Sequence, residues 1–105
     1  MRRWTRSAGR WDTDEGARMD LSDWRERIDA IDRQLLVLLN ERMGCAQEIG
    51  RIKKTEGRAV RDPERERALL EKLKALNSGP IKDDSLEAIY RQIIQAAVDL
   101  EEEED

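Results

Sequence analysis

Arg42 interrupts an apolar series. It falls between Leu38 and Cys45 in the run Leu21, Trp24, Ile28, Ile31, Leu35, Leu38, Arg42, Cys45, Ile49, Ile52, whose steps alternate mainly between three and four. Lys53 follows eleven residues after Arg42, three helical turns on, so at about 100° per residue both cations point nearly the same way. Cations on an apolar face are costly unless they pair with acids or receive an anion. The nearby acids are Asp62, Glu64 and Glu66, in the stretch "RAVRDPERERALL" at 58–70. Purely structural pairing with those acids is the alternative to an anion site, and for one isolated residue it is the commoner outcome.

The same stretch adds Arg65 and Glu66 in the first turn of a helix that starts after Asp62. The N–H groups of a helix N-terminus attract anions. Arg25 lies on the stripe that runs through Asp32, Leu39 and Ala46 to Lys53, but 28 residues away, about 42 Å along one helix. Arg25 and Lys53 therefore cannot share a small ligand within one chain. Antiparallel packing of two copies would bring Arg25 of one toward Arg42 and Lys53 of the other. The chain has no histidine, so the commonest general base and transition-metal ligand are missing. Several cations, a few hydrogen-bonding acids and no nucleophile suit a small dianion whose reaction needs no proton transfer.

Three helices would position these groups. The first is expected over about 21–56, capped by Asp20 or Ser22 and ended by Gly57. At roughly 35 residues it is about 50 Å long, whereas a compact 100-residue domain has a radius of gyration of only ~13 Å. Such a rod needs a partner, most simply a second copy. The second helix, about 63–77, has Asp62 as N-cap and Pro63 at its first position, and buries Leu69, Leu70, Leu73 and Leu76. The third, about 84–102, opens with Asp84 and Glu87 spaced as a capping box. Its expected buried stripe is Leu86, Ile89, Ile93, Ala97 and Leu100, flanked by Tyr90, Ile94 and Glu101.

These elements make an all-α class, a single helical domain over 19–105 with three helices per chain, paired with a second copy in a homodimer. Residues 1–18 show no apolar period and are expected to be a disordered tail, with Met19 as an alternative start. At 42% charged and 38% hydrophobic residues the composition borders on that of disordered chains, and helical periodicity is what argues for folding. The net charge of −4 argues against broad nucleic-acid binding. No stretch is apolar enough to span a membrane. The lone Cys45 cannot close an internal disulfide and is expected as a small buried hydrophobe, so a cytoplasmic setting is the default. No His/Cys cluster or glycine-rich phosphate loop suggests a metal or nucleotide.

The segment "RERIDAIDRQLLVLLNERMGCAQEIGRIKKTEGRAVRDPERERALLEKL" closely resembles the all-helical chorismate mutases. The family's Arg-x-x-Ile-Asp-x-Ile-Asp, Leu-Leu-x-Glu-Arg, Ile-Gly-x-x-Lys and Val-x-Asp-x-x-Arg-Glu segments recur in order, and the likeness runs from about Leu21 to about Glu101. It implies an intertwined dimer with two active sites and no cofactor, rearranging chorismate to prephenate on the route to phenylalanine and tyrosine. By the same resemblance Arg42, and Arg25 from the partner chain, hold the substrate's two carboxylates. Lys53 faces the ether oxygen and a nearby carboxylate. Glu66 and the backbone around Asp62 bind the ring hydroxyl, and Arg65 completes the cationic wall. Glu64, Arg67 and Arg61 are expected to be solvated.

The third helix departs from that pattern. Where the family often has Ser or Thr and, four residues on, Gln, this chain has Ala97 and Glu101. Ala97 forfeits a hydroxyl contact. Glutamine can donate to the ether oxygen, but an ionised glutamate only accepts, so Glu101 is expected to act with a proton on it. The alternative is that Glu101 merely begins the acidic tail. Two other functions fit part of this pattern: an isochorismate pyruvate lyase of the same fold, and a non-catalytic helical dimerisation or regulatory module in which every charge is structural.

Overall fold

The structure, a computed structural model, describes residues 4–5, 10–11 and 19–103. It holds a small antiparallel ladder, β1 (Trp4–Thr5) with β2 (Arg10–Trp11), and three helices, α1 (Leu21–Thr55), α2 (Pro63–Leu76) and α3 (Asp83–Glu103). The ladder pairs Trp4 with Trp11 and Thr5 with Arg10. The rest of the expected disordered tail lies outside the described residues.

α1 and α2 begin and end where their sequence punctuates them. Asp20 accepts from the Asp23 N–H at 2.9 Å, and the Asp23 carboxylate accepts from the Asp20 N–H at 3.3 Å. This reciprocal box satisfies two of the donors that a helix start leaves open. The far end closes at Gly57, whose φ of 68° suits a residue without Cβ, and the Arg58 N–H returns to the Lys53 carbonyl at 2.7 Å. Asp62 caps α2 by accepting from the Arg65 N–H at 3.1 Å, with Pro63 at the first helical position. Asn77 then holds the α2–α3 turn, donating to the Ile81 carbonyl and the Asp83 carboxylate, both at 2.8 Å. The expected Asp84–Glu87 box is not how α3 starts. It begins at Asp83, and Glu87 instead bridges Lys74 of α2 and Arg91 of its own helix.

α3 packs along the C-terminal part of α1, and α2 packs on α3. The core is small: Ala46, Leu70, Ile94, Ala97 and Val98 are buried, with Val60, Leu69 and Tyr90 packed against them. The buried face of α3 is rotated from the expected stripe. It centres on Ile94, Ala97, Val98 and Glu101, and leaves Ile89 half exposed. Apolar residues lie on more than one side of this helix, and contact with α1 selects among them. Leu76 of α2 also stays exposed.

Most of α1 is uncovered. Leu21, Ile28, Leu35, Leu36, Val37 and Leu38 all keep at least half their surface. The radius of gyration is 17.7 Å over a length of 56 Å, against the ~13 Å of a compact domain of this size. Among the described residues, no helix is long and apolar enough to cross a membrane.

Candidate active site

Where α1, the α1–α2 loop, α2 and α3 meet, they line a half-open cavity of about 450 Å³. From α1 it receives Arg42, Cys45, Ala46, Ile49 and Lys53; from the loop and the start of α2, Val60, Asp62, Arg65, Glu66 and Leu69; from α3, Ile94, Ala97, Val98 and Glu101. Seven of the eight residues singled out from the sequence thus line one space: Arg42, Lys53, Asp62, Arg65, Glu66, Ala97 and Glu101. The eighth, Arg25, does not. It sits near the other end of α1, beside Asp20, Leu21, Ser22, Glu26 and Asp29.

The charges are not arranged as sequence proximity suggested. Lys53 pairs with none of Asp62, Glu64 and Glu66. Its ammonium donates to the Val60 carbonyl at 2.6 Å and stands 3.3 Å from Glu101 Oε1. An ammonium has three donors and Val60 takes one, so two are left for a guest. Arg42 is half-buried and has no acidic partner among the described residues. A cation on an apolar wall with no counter-charge is what an anion site requires.

Glu101 is 8% exposed, the one buried charged side chain among the described residues. Its Oε1 ion-pairs with Lys53 without hydrogen-bond geometry and has no hydrogen-bond partner among the described residues. An acid that merely began the tail would be solvated, and this one is walled in by α1.

Arg61 is exposed, as expected, but it is not idle. It donates through Nε to Glu66 at 3.2 Å and through Nη1 to the Gln95 side chain at 3.0 Å. Gln95 in turn donates to Asp99 at 2.8 Å. This chain ties Glu66, on the cavity wall, to the outer face of α3. Asp62 spends one carboxylate oxygen on its cap, and its carbonyl accepts from the Glu66 N–H at 3.0 Å, which leaves its backbone N–H and its other carboxylate oxygen to meet a ligand. Cys45, expected to be buried, is an exposed free thiol on the cavity wall. No group of three or more metal-ligating side chains occurs among the described residues.

A helical domain with a cavity lined by Arg42, Lys53, Arg65 and hydrogen-bonding acids defines a class of small-anion binders. Within that class the chain belongs to the type II chorismate mutase family, whose sequence pattern matches residues 24–102. It is 42% identical over 86 residues to a bifunctional chorismate mutase/prephenate dehydratase of Aquifex aeolicus, a match covering 78% of this chain and 24% of the relative. It is likewise 42% identical over 77 residues to the bifunctional enzyme of Neisseria gonorrhoeae, covering 73% and 21%. The chain therefore spans about a quarter of the length of these curated relatives. Among solved structures, a chorismate mutase of Thermus thermophilus superposes with a TM-score of 0.79 at 38% identity, covering 81% of this chain and 97% of that one. A Helicobacter pylori chorismate mutase in complex with prephenate gives 0.73 at 27% identity, covering 78% and 89%.

Proposed function

We propose that this chain catalyses the rearrangement of chorismate to prephenate as a homodimer, without a cofactor. The observation that carries this is Arg42, without an acidic partner among the described residues, on the wall of a cavity in which Lys53 and Glu101 stand 3.3 Å apart. In this Claisen rearrangement the ether C–O bond breaks as a C–C bond forms, with no intermediate that needs an acid or base. The protein's task is to hold the compact conformer whose ends meet, which reduces the entropic barrier. Arg42 receives one substrate carboxylate in its planar fork, and Arg25 of a second copy receives the other.

As the C–O bond opens, negative charge builds on the ether oxygen. Lys53, already oriented by the Val60 carbonyl, stabilises that charge, and one such prepositioned donor is worth about 3–4 kcal/mol in a dry site. Glu101 is the second group at that oxygen and donates to it when protonated. Glu66, aligned by Arg61, and the backbone at Asp62 take the ring hydroxyl. Arg65 adds to the positive wall.

The dimer is part of the same reading. The uncovered apolar length of α1 supports it, as does the placement of Arg25 some 42 Å from Lys53. Cys45 is a free thiol on the cavity wall, which accords with a reducing, cytoplasmic setting. The test is an assay of chorismate consumption with product identification, using Arg42→Ala as the control. Prephenate formation that collapses about 10²-fold or more in the variant is the expected result. Salicylate plus pyruvate from isochorismate would instead point to the lyase, and activity indifferent to Arg42→Ala would reject the site.

A further inference from the structure

We propose that Gly50 is a positioning residue for catalysis, setting the separation between Lys53 and Glu101 by letting α3 approach α1 where no side chain fits. This rests on the reading of Glu101 as a group that acts on the ether oxygen. Gly50 is buried in the interior of α1, a place where glycine is a poor choice for the helix itself. Its space is not free. A Cβ at Gly50 would stand 2.9 Å from Glu101 Cα, 3.1 Å from its Cβ and 3.2 Å from its Cγ. The first contact is with backbone, so no rotamer change relieves it. Ordinary contact begins at 3.4 Å, so a methyl group drives α3 back by about 0.5 Å or more at Glu101. Gly44, on the same helix, has nothing within 4 Å of where its Cβ would be.

Lys53 is three residues after Gly50 and so lies on the same helix face one turn on. The gap at Gly50 therefore places Glu101 beside Lys53, where their charged atoms stand 3.3 Å apart. Packed helices do not deform continuously, and a displacement near 1 Å of a reacting group can cost about 10²-fold in rate. Gly50 touches no substrate in this scheme. It acts through Glu101.

The experiment is a double-mutant cycle on prephenate formation by the full chain: wild type, Gly50→Ala, Glu101→Ala and the double variant, with circular dichroism and sedimentation on each. Gly50→Ala should lower kcat by about ten- to a hundredfold with KM changed less than about threefold, and with helicity and mass unchanged. In the Glu101→Ala background the same substitution should cost less than about twofold, because the group it misplaces is gone. A full loss repeated in that background, or an unaltered kcat in Gly50→Ala, overturns the proposal while leaving Glu101's own role standing. Wild-type turnover in Glu101→Ala removes the role on which the inference stands and overturns both. Should Gly50→Ala fail to fold, Glu101→Asp decides. It keeps the helix contact but withdraws the carboxyl by one methylene, and should lose kcat on the same scale; wild-type kcat there overturns the proposal.

Discussion

Lys53 of α1 and Glu101 of α3 form a buried-to-half-buried pair, their charged atoms 3.3 Å apart on one wall of the cavity. As it stands, the pair suits a carboxylate. An ether oxygen placed between the two can accept from the ammonium, but it gains from Glu101 only if the carboxyl carries a proton. Glu101→Gln keeps the length of the side chain and supplies an N–H donor in place of an acceptor. Its kcat for prephenate formation should therefore equal or exceed that of wild type. Steady-state kinetics on the variant check this, and a kcat below wild type would reject Glu101 as a donor to the ether oxygen.

Arg61 acts on Glu66 from outside the cavity. Its guanidinium ties Glu66 to Gln95, and Gln95 is held by Asp99. Removing it frees the carboxylate that is to bind the ring hydroxyl without touching the groups at the ether oxygen. Arg61→Ala should raise KM for chorismate about two- to tenfold, the scale of one exposed charge-assisted hydrogen bond, with kcat little changed. Arg61→Lys should recover part of the loss. Steady-state kinetics on the pair of variants checks this.

Much of this architecture is legible in the sequence because the chain marks it locally. Asp20, Gly57, Asp62 and Pro63 bracket α1 and α2, and each helix boundary follows from a donor or acceptor that must be satisfied. Arg42 and Lys53 are legible as breaks in an apolar period. What sequence does not carry is rotation and reach. The face that α3 buries depends on how α1 receives it, since apolar residues lie on several sides. Arg61 meets Gln95 across 34 residues, a contact that no local pattern announces. Lys53 likewise passes over the acids near it in sequence for Glu101. Gly50 reads as one more residue of the Ile-Gly-x-x-Lys segment until the closeness of Glu101 gives it a reason.

Away from the cavity, Glu87 joins α2 to α3. Its carboxyl is held below the ordinary carboxylate range chiefly by the hydrogen bond from Lys74, then by that from Arg91. Lys74 is raised above the ordinary amine value, mainly by the same hydrogen bond. The lowered carboxyl contributes stability that is full above its unfolded value and is lost as pH falls through its folded value. The raised ammonium contributes stability that is full below its unfolded value and is lost as pH rises through its folded one. Both contributions are complete near neutrality. Glu87→Gln should therefore lower Tm slightly at neutral pH, the pair being partly exposed and screened by solvent. The deficit should shrink in acid, once wild-type Glu87 is itself protonated. Thermal unfolding of both proteins at matched ionic strength measures it.

The placement of Arg25 gives the most direct test of a shared site. Arg25 and Arg42 lie 17 residues apart, about 26 Å along α1, too far to grip one small dianion from the same chain. If two copies pack antiparallel along α1, each cavity draws Arg42 from one chain and Arg25 from the other. Arg25→Ala and Arg42→Ala should then each be inactive alone, because both sites of either homodimer lack one guanidinium. Mixed and allowed to exchange subunits, they form a heterodimer in which one site loses both groups and the other keeps both. Activity should reappear on mixing, in step with heterodimer formation followed by native mass spectrometry. If Arg25 served its own chain's cavity, each site in the mixture would still lack a guanidinium. No activity would then return, however completely the subunits exchanged.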